Sequence, residues 1–307
     1  MMKIYKKLPQ LTESVITIGS FDGLHLGHQY LITEVQKIAR ARDIPFYLIS
    51  FEPHPRLVLK QNGDFKLLQT WQEKIAHLEQ LGVEHLIALP FTEALSQKSA
   101  EDFILNDILI PLQPKIVVLG YDHKFGKDRQ GSKDTFIALK EKLSLEIEII
   151  QLNEYLIKRA HVSSSIIRNH IQNGSIDQVK NILGYEYSIT GKVIEGKQLG
   201  RTLGYPTANI LTDDPNKLIP KKGVYSTSIV VDGKRYKAAT SIGLNPTVEV
   251  RKDESIESYI LDFDGDIYGE SVCIDFKLFL REEKKFDSIE ELINAMASDV
   301  ALVANSE

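Results

Sequence analysis

Residues Gly19 to His28 read GSFDGLHLGH and stand directly behind the apolar run Val15, Ile16, Thr17, Ile18. Two histidines three residues apart on a glycine-rich turn suit phosphate chemistry. Gly19, Gly23 and Gly27 let the backbone bend tightly and approach a ligand, while His25 and His28 share one face of a first helical turn. Attack on the α-phosphate of a nucleoside triphosphate builds charge on oxygens of the transferring and leaving groups. Catalysis there is mostly positioning plus donors aimed at that charge, and imidazole N–H groups at a helix N-terminus supply such donors. An isolated HxxH would read instead as a capped turn. Zinc is disfavoured, because it takes three or four ligands and the chain offers Cys273 and scattered histidines with no second paired spacing. The full ten-residue string behind a strand is what makes the nucleotide reading specific.

The elements around this loop point to a parallel sheet wrapped by helices. Short β-branched runs, Val15 to Ile18, Phe46 to Ser50, His85 to Leu89, Ile116 to Leu119 and Ile147 to Leu152, alternate with helical periodicity through the first 185 residues. Ile32, Val35, Ile38 and Ala39 recur at helical spacing, and a second helix is expected from Trp71 to Leu81, ended by Gly82. In a doubly wound domain ligands sit beyond the carboxyl ends of the strands. There fall GSFDGLHLGH, FEPHP after the second strand and GYDHKFG after the fourth. VSSSIIRNHI, Val162 to Ile171, then opens a serine-capped helix whose free N–H groups suit an anion, with Arg168 one turn further on.

After Gly184 the periodicity changes. Alternating runs punctuated by glycine, Ser188 to Ile194, Val224 to Val231, Tyr236 to Ile242, Ile256 to Phe263 and Val272 to Phe279, predict a small antiparallel barrel. Asp232-Gly233 and Asp264-Gly265 are candidate hairpin turns, and Ser288 to Met296 a closing helix. The string DFDGD at Asp262 to Asp266 lacks the glycine and the twelfth-position glutamate of a calcium loop and is expected to be a turn. Two segments here carry chemistry. GRTLGYPTANI, Gly200 to Ile210, joins glycines that admit a phosphate, Gly200 and Gly204 among them, to Thr207 and Asn209, whose oxygens could hold Mg2+ beside ATP phosphates. Glu257 is acidic within a run of strand formers, with Tyr259 on the same face, and a carboxylate there can take the proton from an attacking hydroxyl.

Composition limits the classes. At 307 residues, 43% hydrophobic and 26% charged, the chain can bury a core in each of two domains. One cysteine permits no internal disulfide, and the apolar run after MMKIYKKLPQ is too short for a signal peptide or a membrane span, which makes the cytoplasm the expected location. A net charge of −5 and a pI near 6.0 argue against a surface built to neutralise nucleic-acid phosphates.

GSFDGLHLGH, FEPHP, GYDHKFG and VSSSIIR occur here in the order and spacing of one family, and the chain resembles a prokaryotic bifunctional riboflavin kinase/FMN adenylyltransferase, or FAD synthetase. The resemblance implies a Rossmann-like nucleotidyltransferase domain over residues 1–184, transferring AMP from ATP to FMN and releasing pyrophosphate. It implies a riboflavin kinase barrel with a terminal helix over 185–307. It matches His25 and His28 to the nucleotidyl-transfer histidines, Gly19, Phe21, Asp22, Gly23 and Gly27 to the nucleotide-binding loop, and Asp122 and Phe125 to a second such loop. Ser164, Ser165 and Arg168 match the phosphate-binding helix start. Thr207 and Asn209 fall on magnesium and ATP positions, and Glu257 on the catalytic carboxylate. GVY at Gly223, SIGLNPT at Ser241 and FLREEKKF at Phe279 also resemble the kinase module. The chain departs from the family pattern in carrying three serines at 163–165 where SST is usual, and in His123 and His161.

The implied ligands are riboflavin, FMN, FAD, ATP and Mg2+, with no nucleic-acid or membrane partner and a monomer or weak homo-oligomer. Class I aminoacyl-tRNA synthetases share an HxGH loop but need a KMSKS-like loop and an RNA-binding region, and neither is seen. Two further alternatives are a chain with one competent module and a non-catalytic flavin sensor. The sensor would not need His25, His28 and Glu257.

Overall fold

The computed structural model describes residues 1–59, 65–121, 124–126, 131–157, 160–196, 200, 203–244 and 254–306. By internal contacts the chain divides into two compact units, Met1–Ser163 and Ser164–Glu307.

In the first unit, β1 (Lys3–Tyr5), β2 (Ser14–Ile18), β3 (Phe46–Glu52), β4 (His85–Pro90), β5 (Pro114–Leu119) and β6 (Glu148–Gln151) form one sheet ordered β1-β4-β3-β2-β5-β6. Every pairing is parallel. All five predicted strands are present, and β1 joins them as an edge strand too short to show a pattern of its own. The helices are α1 (Leu26–Arg42), α2 (Pro55–Leu59), α3 (Trp71–Gln80), α4 (Glu93–Gln97), α5 (Ala100–Asp102), which continues through a π-helical stretch at Phe103–Leu109 into α6 (Ile110–Leu112), and α7 (Lys133–Lys142). A small hairpin, β7 (Leu156–Ile157) and β8 (Ala160–His161), follows β6.

The period-2 alternation of side chains gives this sheet two cores. Val15, Phe46, Leu48, Leu86, Ile116 and Val118 face Leu31, Ile32 and Val35 of α1 and Leu78 of α3. Ile16, Ile18, Ile49, Ile87, Val117 and Leu119 pack with Phe103, Ile104, Ile108 and Phe136 on the other side. Strand order reverses at β2: β3 and β4 build outward on one side of it, β5 and β6 on the other. The loops after β2 and β5 therefore leave the sheet side by side at the switch point, where open α/β sheets bind ligands.

The second unit opens with α8 (Ser164–Asn173) and α9 (Ile176–Leu183). Gly184 ends α9 in the left-handed region at φ 80°. Six strands, β9 (Tyr187–Ile194), β10 (Thr207–Thr212), β11 (Gly223–Val231), β12 (Lys234–Leu244), β13 (Glu254–Ile260) and β14 (Ser271–Arg281), close into an antiparallel barrel ordered β10-β13-β12-β11-β14-β9. The last helix, α10 (Ile289–Asn305), is capped by Ser288, whose hydroxyl accepts the N–H of Glu291.

Three expectations are corrected here. Thr207–Thr212, outside the five runs expected to form the barrel, is its sixth strand β10, because residues 209–212 pair with β9 and residues 207–209 with β13. Asp232-Gly233 is the expected two-residue hairpin, with φ of 48° and 74°, but Asp264-Gly265 is not. β13 ends at Ile260, short of the predicted Phe263, and the chain turns at Asp262, φ 53°, before a longer connection to β14. The closing helix continues nine residues past the predicted end at Met296, to Asn305. It is held by Arg281, whose guanidinium donates to both oxygens of Asp299 at 3.0 and 2.7 Å.

Candidate functional site

β2 carries the first site because all five of its residues are buried, which anchors the loop that follows. Gly19 extends the ladder by donating to the carbonyl of Ile49 at 3.0 Å. The chain then turns through Phe21, Gly23 and Leu24, all at positive φ. Phe21 and Leu24 bury their side chains as they turn, and this burial offsets the strain of a left-handed backbone. Gly23 is required, since at φ 81° a Cβ would also meet Leu68 Cδ1 at 2.6 Å. Asp22 is buried and accepts the Leu68 N–H at 3.1 Å, tying the loop to the segment before α3.

His25 is the N-cap of α1: its Nδ1 accepts the backbone N–H of His28 at 3.3 Å. The two imidazoles stack, with ring centroids 3.7 Å apart and planes inclined by 16°. Phe21 packs edge-on against His28 at 5.3 Å. Gly27 leaves room for the His25 ring, since a Cβ there would lie 3.2 Å from His25 Nδ1. His28 retains some surface, but its Nδ1 is fully buried and has no hydrogen-bond partner among the described residues. Burial first, then the neighbouring His25 and Lys74, hold its proton affinity well below the ordinary imidazole range. His28 is thus neutral at physiological pH, with a single N–H to donate.

The sequence-level reading missed Lys74. It sits on α3, whose capping box joins Thr70 and Glu73, and it is 4% exposed. Its Nζ donates to the carbonyl of Ser20 at 2.7 Å and lies 3.4 Å from Ser50 Oγ. The available signal was its place on the apolar stripe of α3, four residues before Leu78, where a charge needs a reason.

The neighbouring loops lie where expected by strand order. FEPHP ends β3 and starts α2. His54 is buried, accepts the N–H of Arg56 at 3.1 Å and stacks on Phe65 at 4.8 Å. Phe125 is buried between Phe103 and Phe136 and pairs with Gly131, which places it in the core of the sheet. Asp122 and His123 lie outside the described residues. Ser164 and Ser165 open α8, followed by Arg168, in the second unit.

The second site is on the barrel wall. Register sets Asn209 opposite Glu257 and Thr207 opposite Tyr259, and Ser241 of β12 flanks Glu257 on the other side. Alternation sends Ile256, Ser258 and Ile260 into the barrel, leaving Thr207, Asn209 and Glu257 together on the opposite face. Thr207 Oγ1 donates to Glu257 Oε2 at 3.3 Å. Gly200 and Tyr205 close the loop before the strand, Tyr205 N–H to Gly200 carbonyl at 2.8 Å. Gly204 there sits at φ 85°. Tyr205 meets Tyr259 edge-on at 5.3 Å. A Cβ on Gly196 would strike the Asn209 amide at 2.2 Å. Thr247 of SIGLNPT lies outside the described residues.

Comparison with known proteins matches both units. A family model described as FAD synthetase matches residues 7–166, and one described as riboflavin kinase matches residues 183–306. A bifunctional riboflavin kinase/FMN adenylyltransferase of Listeria monocytogenes is 36% identical over 286 residues, 93% of this chain and 90% of the relative. Its Bacillus subtilis counterpart is 33% identical over 94% of this chain and 90% of its own length. Among solved structures, a crystal structure from Streptococcus pneumoniae described as a macrolide-efflux protein has a TM-score of 0.88 at 29% identity, covering 100% of this chain and 99% of that one. Among the described residues of this chain, no helix is long and apolar enough to cross a membrane. Two polar clusters stand on unlike architectures, each in a region matched by its own family model, and the near full-length relatives carry both regions in one chain: the chain belongs to the bifunctional riboflavin kinase/FMN adenylyltransferase family.

Proposed function

We propose that the chain makes FAD from riboflavin in two consecutive ATP-dependent steps, with kinase chemistry at Thr207, Asn209 and Glu257 and adenylyl transfer at His25 and His28. The functional modules divide at residue 184. In the first step the 5′-hydroxyl oxygen of riboflavin attacks the γ-phosphorus of ATP, the bond to ADP breaks, and the hydroxyl proton passes to the Glu257 carboxylate. In the second an FMN phosphate oxygen attacks the α-phosphorus of ATP and expels pyrophosphate. The neutral His28 donates one N–H toward the charge that develops on the phosphate oxygens. Its buried Nδ1 has no partner among the described residues, so Nε2 is the nitrogen left for a phosphate. Phe21, Asp22 and the glycines of the loop shape the backbone around that phosphate. Gly200, Gly204, Asp122, Phe125, Ser164, Ser165 and Arg168 are assigned to nucleotide binding.

The barrel residues fit Mg2+. Thr207 and Asn209 offer hard oxygen donors, and because the Thr207 hydroxyl donates its hydrogen bond to the Glu257 carboxylate, its lone pairs remain for a cation. Thr207 and Asn209 would hold the ion, which when bound neutralises charge on the ATP phosphates. The proposed setting is the cytoplasm, with small-molecule substrates, no nucleic-acid partner, and a monomer or weak homo-oligomer.

The stacked, partly buried His25–His28 pair on a helix N-terminus at the sheet's switch point is the observation that carries adenylyl transfer. Incubating the protein with riboflavin, ATP and Mg2+ and separating the flavins by chromatography tests the whole sequence of steps. FMN followed by FAD is expected. FMN alone would withdraw the first site, and unchanged riboflavin the barrel site, with FMN and ATP supplied directly then testing the first site by itself.

A further inference from the structure

We propose that Lys74 is a positioning residue for adenylyl transfer: its buried ammonium clamps the loop between β2 and α1 through the Ser20 carbonyl and so sets the place of the histidine pair. This rests on the assignment of that transfer to His25 and His28.

The observation to be explained is a cation inside the fold. Lys74 is 4% exposed, with its charge beneath the ends of β2 and β3. An apolar side chain of similar length on the α3 stripe would pack there without desolvating an ammonium, which is expensive unless its protons are used. They are used on the site loop. Nζ donates to Ser20 O at 2.7 Å, lies 3.4 Å from Ser50 Oγ and sits 5.3 Å from the centre of the Trp71 ring. Ser50 Oγ donates to the same Ser20 carbonyl at 3.3 Å. Two donors from different elements therefore fix one peptide oxygen.

That peptide directly precedes Phe21, whose backbone is held at φ 47° and whose ring packs edge-on against His28. The path from Lys74 to the imidazoles is thus one peptide group and one aromatic contact. Lys74 acts through the loop and not by contact with a phosphate.

Charge adds a second effect. Burial lowers the proton affinity of Lys74, while Asp22 and Glu52 on neighbouring segments raise it. His28 is faced by His25 and by Lys74, and both disfavour its protonation. A positive charge on Lys74 therefore widens the pH range over which His28 is neutral, beyond what burial alone does.

The test uses the full chain, with riboflavin phosphorylation on the barrel as the control for intact protein. Lys74→Met keeps the length and removes the charge. FMN adenylylation should lose at least tenfold in kcat with KM for ATP changed less than threefold, and the protonation midpoint of His28, followed by NMR of histidine-labelled protein, should move upward. Lys74→Arg keeps the charge at a different reach, and should lower kcat while leaving the His28 midpoint close to its native value. Adenylylation within twofold of native in Lys74→Met, or a His28 midpoint that moves equally in both variants, overturns the proposal. If Lys74→Met does not fold, the Lys74→Arg result decides: native kcat, or a displaced His28 midpoint, overturns it. His28→Ala, run alongside, separates the two claims, because a His28→Ala protein that still makes FAD removes the site assignment itself.

Discussion

His25 caps the helix that presents His28: its Nδ1 accepts the His28 backbone N–H at 3.3 Å while the two rings stack at 3.7 Å. One residue thereby both caps the helix and covers the ring that the helix presents. The cap satisfies a donor that helix geometry leaves open, and it orients the His25 ring so that its face is covered by His28. Two rings this close cannot both carry a proton cheaply, which is part of why His28 stays neutral.

Separate sites predict separable activities. His28→Ala should abolish FAD formation and leave FMN formation within about twofold, while Glu257→Ala should lower riboflavin phosphorylation by about 10²–10⁴-fold, the range for loss of a general base, and spare adenylylation of added FMN. Chromatography of both reactions on each purified variant checks this. Loss of both activities in a folded single variant would contradict the proposal.

The lowered proton affinity of His28 has a consequence for stability. In the unfolded chain the ring titrates near ~6.5, so between that pH and the lower folded value the unfolded state binds the extra proton. Stability of the first unit must then fall as pH falls through that window, by up to ~1.4 kcal/mol per pH unit for this one group. The single tryptophan, Trp71 on α3, reports on this unit. Urea unfolding followed by its fluorescence should show a shallower pH dependence in His28→Gln than in the native chain.

Gly23 and Gly27 should respond differently to alanine. At Gly23, φ 81° and the 2.6 Å approach to Leu68 put Ala in a strained backbone, costing about 1–3 kcal/mol as well as activity. At Gly27 the backbone is helical and the obstacle is His25 Nδ1 at 3.2 Å. Ala is favoured over Gly in a helix by about 1 kcal/mol, so Gly27→Ala should keep its stability and lose about tenfold in adenylylation as the ring is displaced. Parallel unfolding curves and initial rates distinguish the two.

On the barrel, Thr207→Val removes the hydroxyl at constant shape, and Asn209→Ala removes the amide. Each should cost about 10²-fold or more in riboflavin phosphorylation and raise the Mg2+ concentration needed for half-maximal rate, with Thr207→Ser retaining most activity. Gly196→Ala should resemble Asn209→Ala, because its Cβ would occupy the amide position at 2.2 Å. A Thr207→Val kinase with native rate and Mg2+ dependence would remove the ion from this place.

Local pattern made much of the molecule legible. β2, β3, β4 and β5 are rich in buried apolar residues because both of their faces are covered, and the period-2 alternation of β9 survives in its burial. Tertiary context hid other parts. β1 has three residues and exists by pairing with β4, and β10 escapes the expected strand runs because Pro206 and the preceding glycines dominate its start. α10 runs to Asn305 because Arg281 and Lys237, distant in the chain, hold Asp299 and the last carbonyls. Phe125, proposed for nucleotide binding, has its ring buried with Phe103 and Phe136, a placement that its motif alone does not reveal.

The sequence by itself marked the candidate residues, the histidine pair on its glycine turn, the serine-led helix, Thr207 beside Asn209 and the lone acid Glu257 among strand formers, since residue type and spacing within a segment are local properties. Tertiary structure alone decided that Lys74 reaches the Ser20 carbonyl, that Asp22 faces Leu68, and that Asn209 stands opposite Glu257. Those are relations across 46 to 54 residues of chain, set by strand order and register, which no single segment encodes.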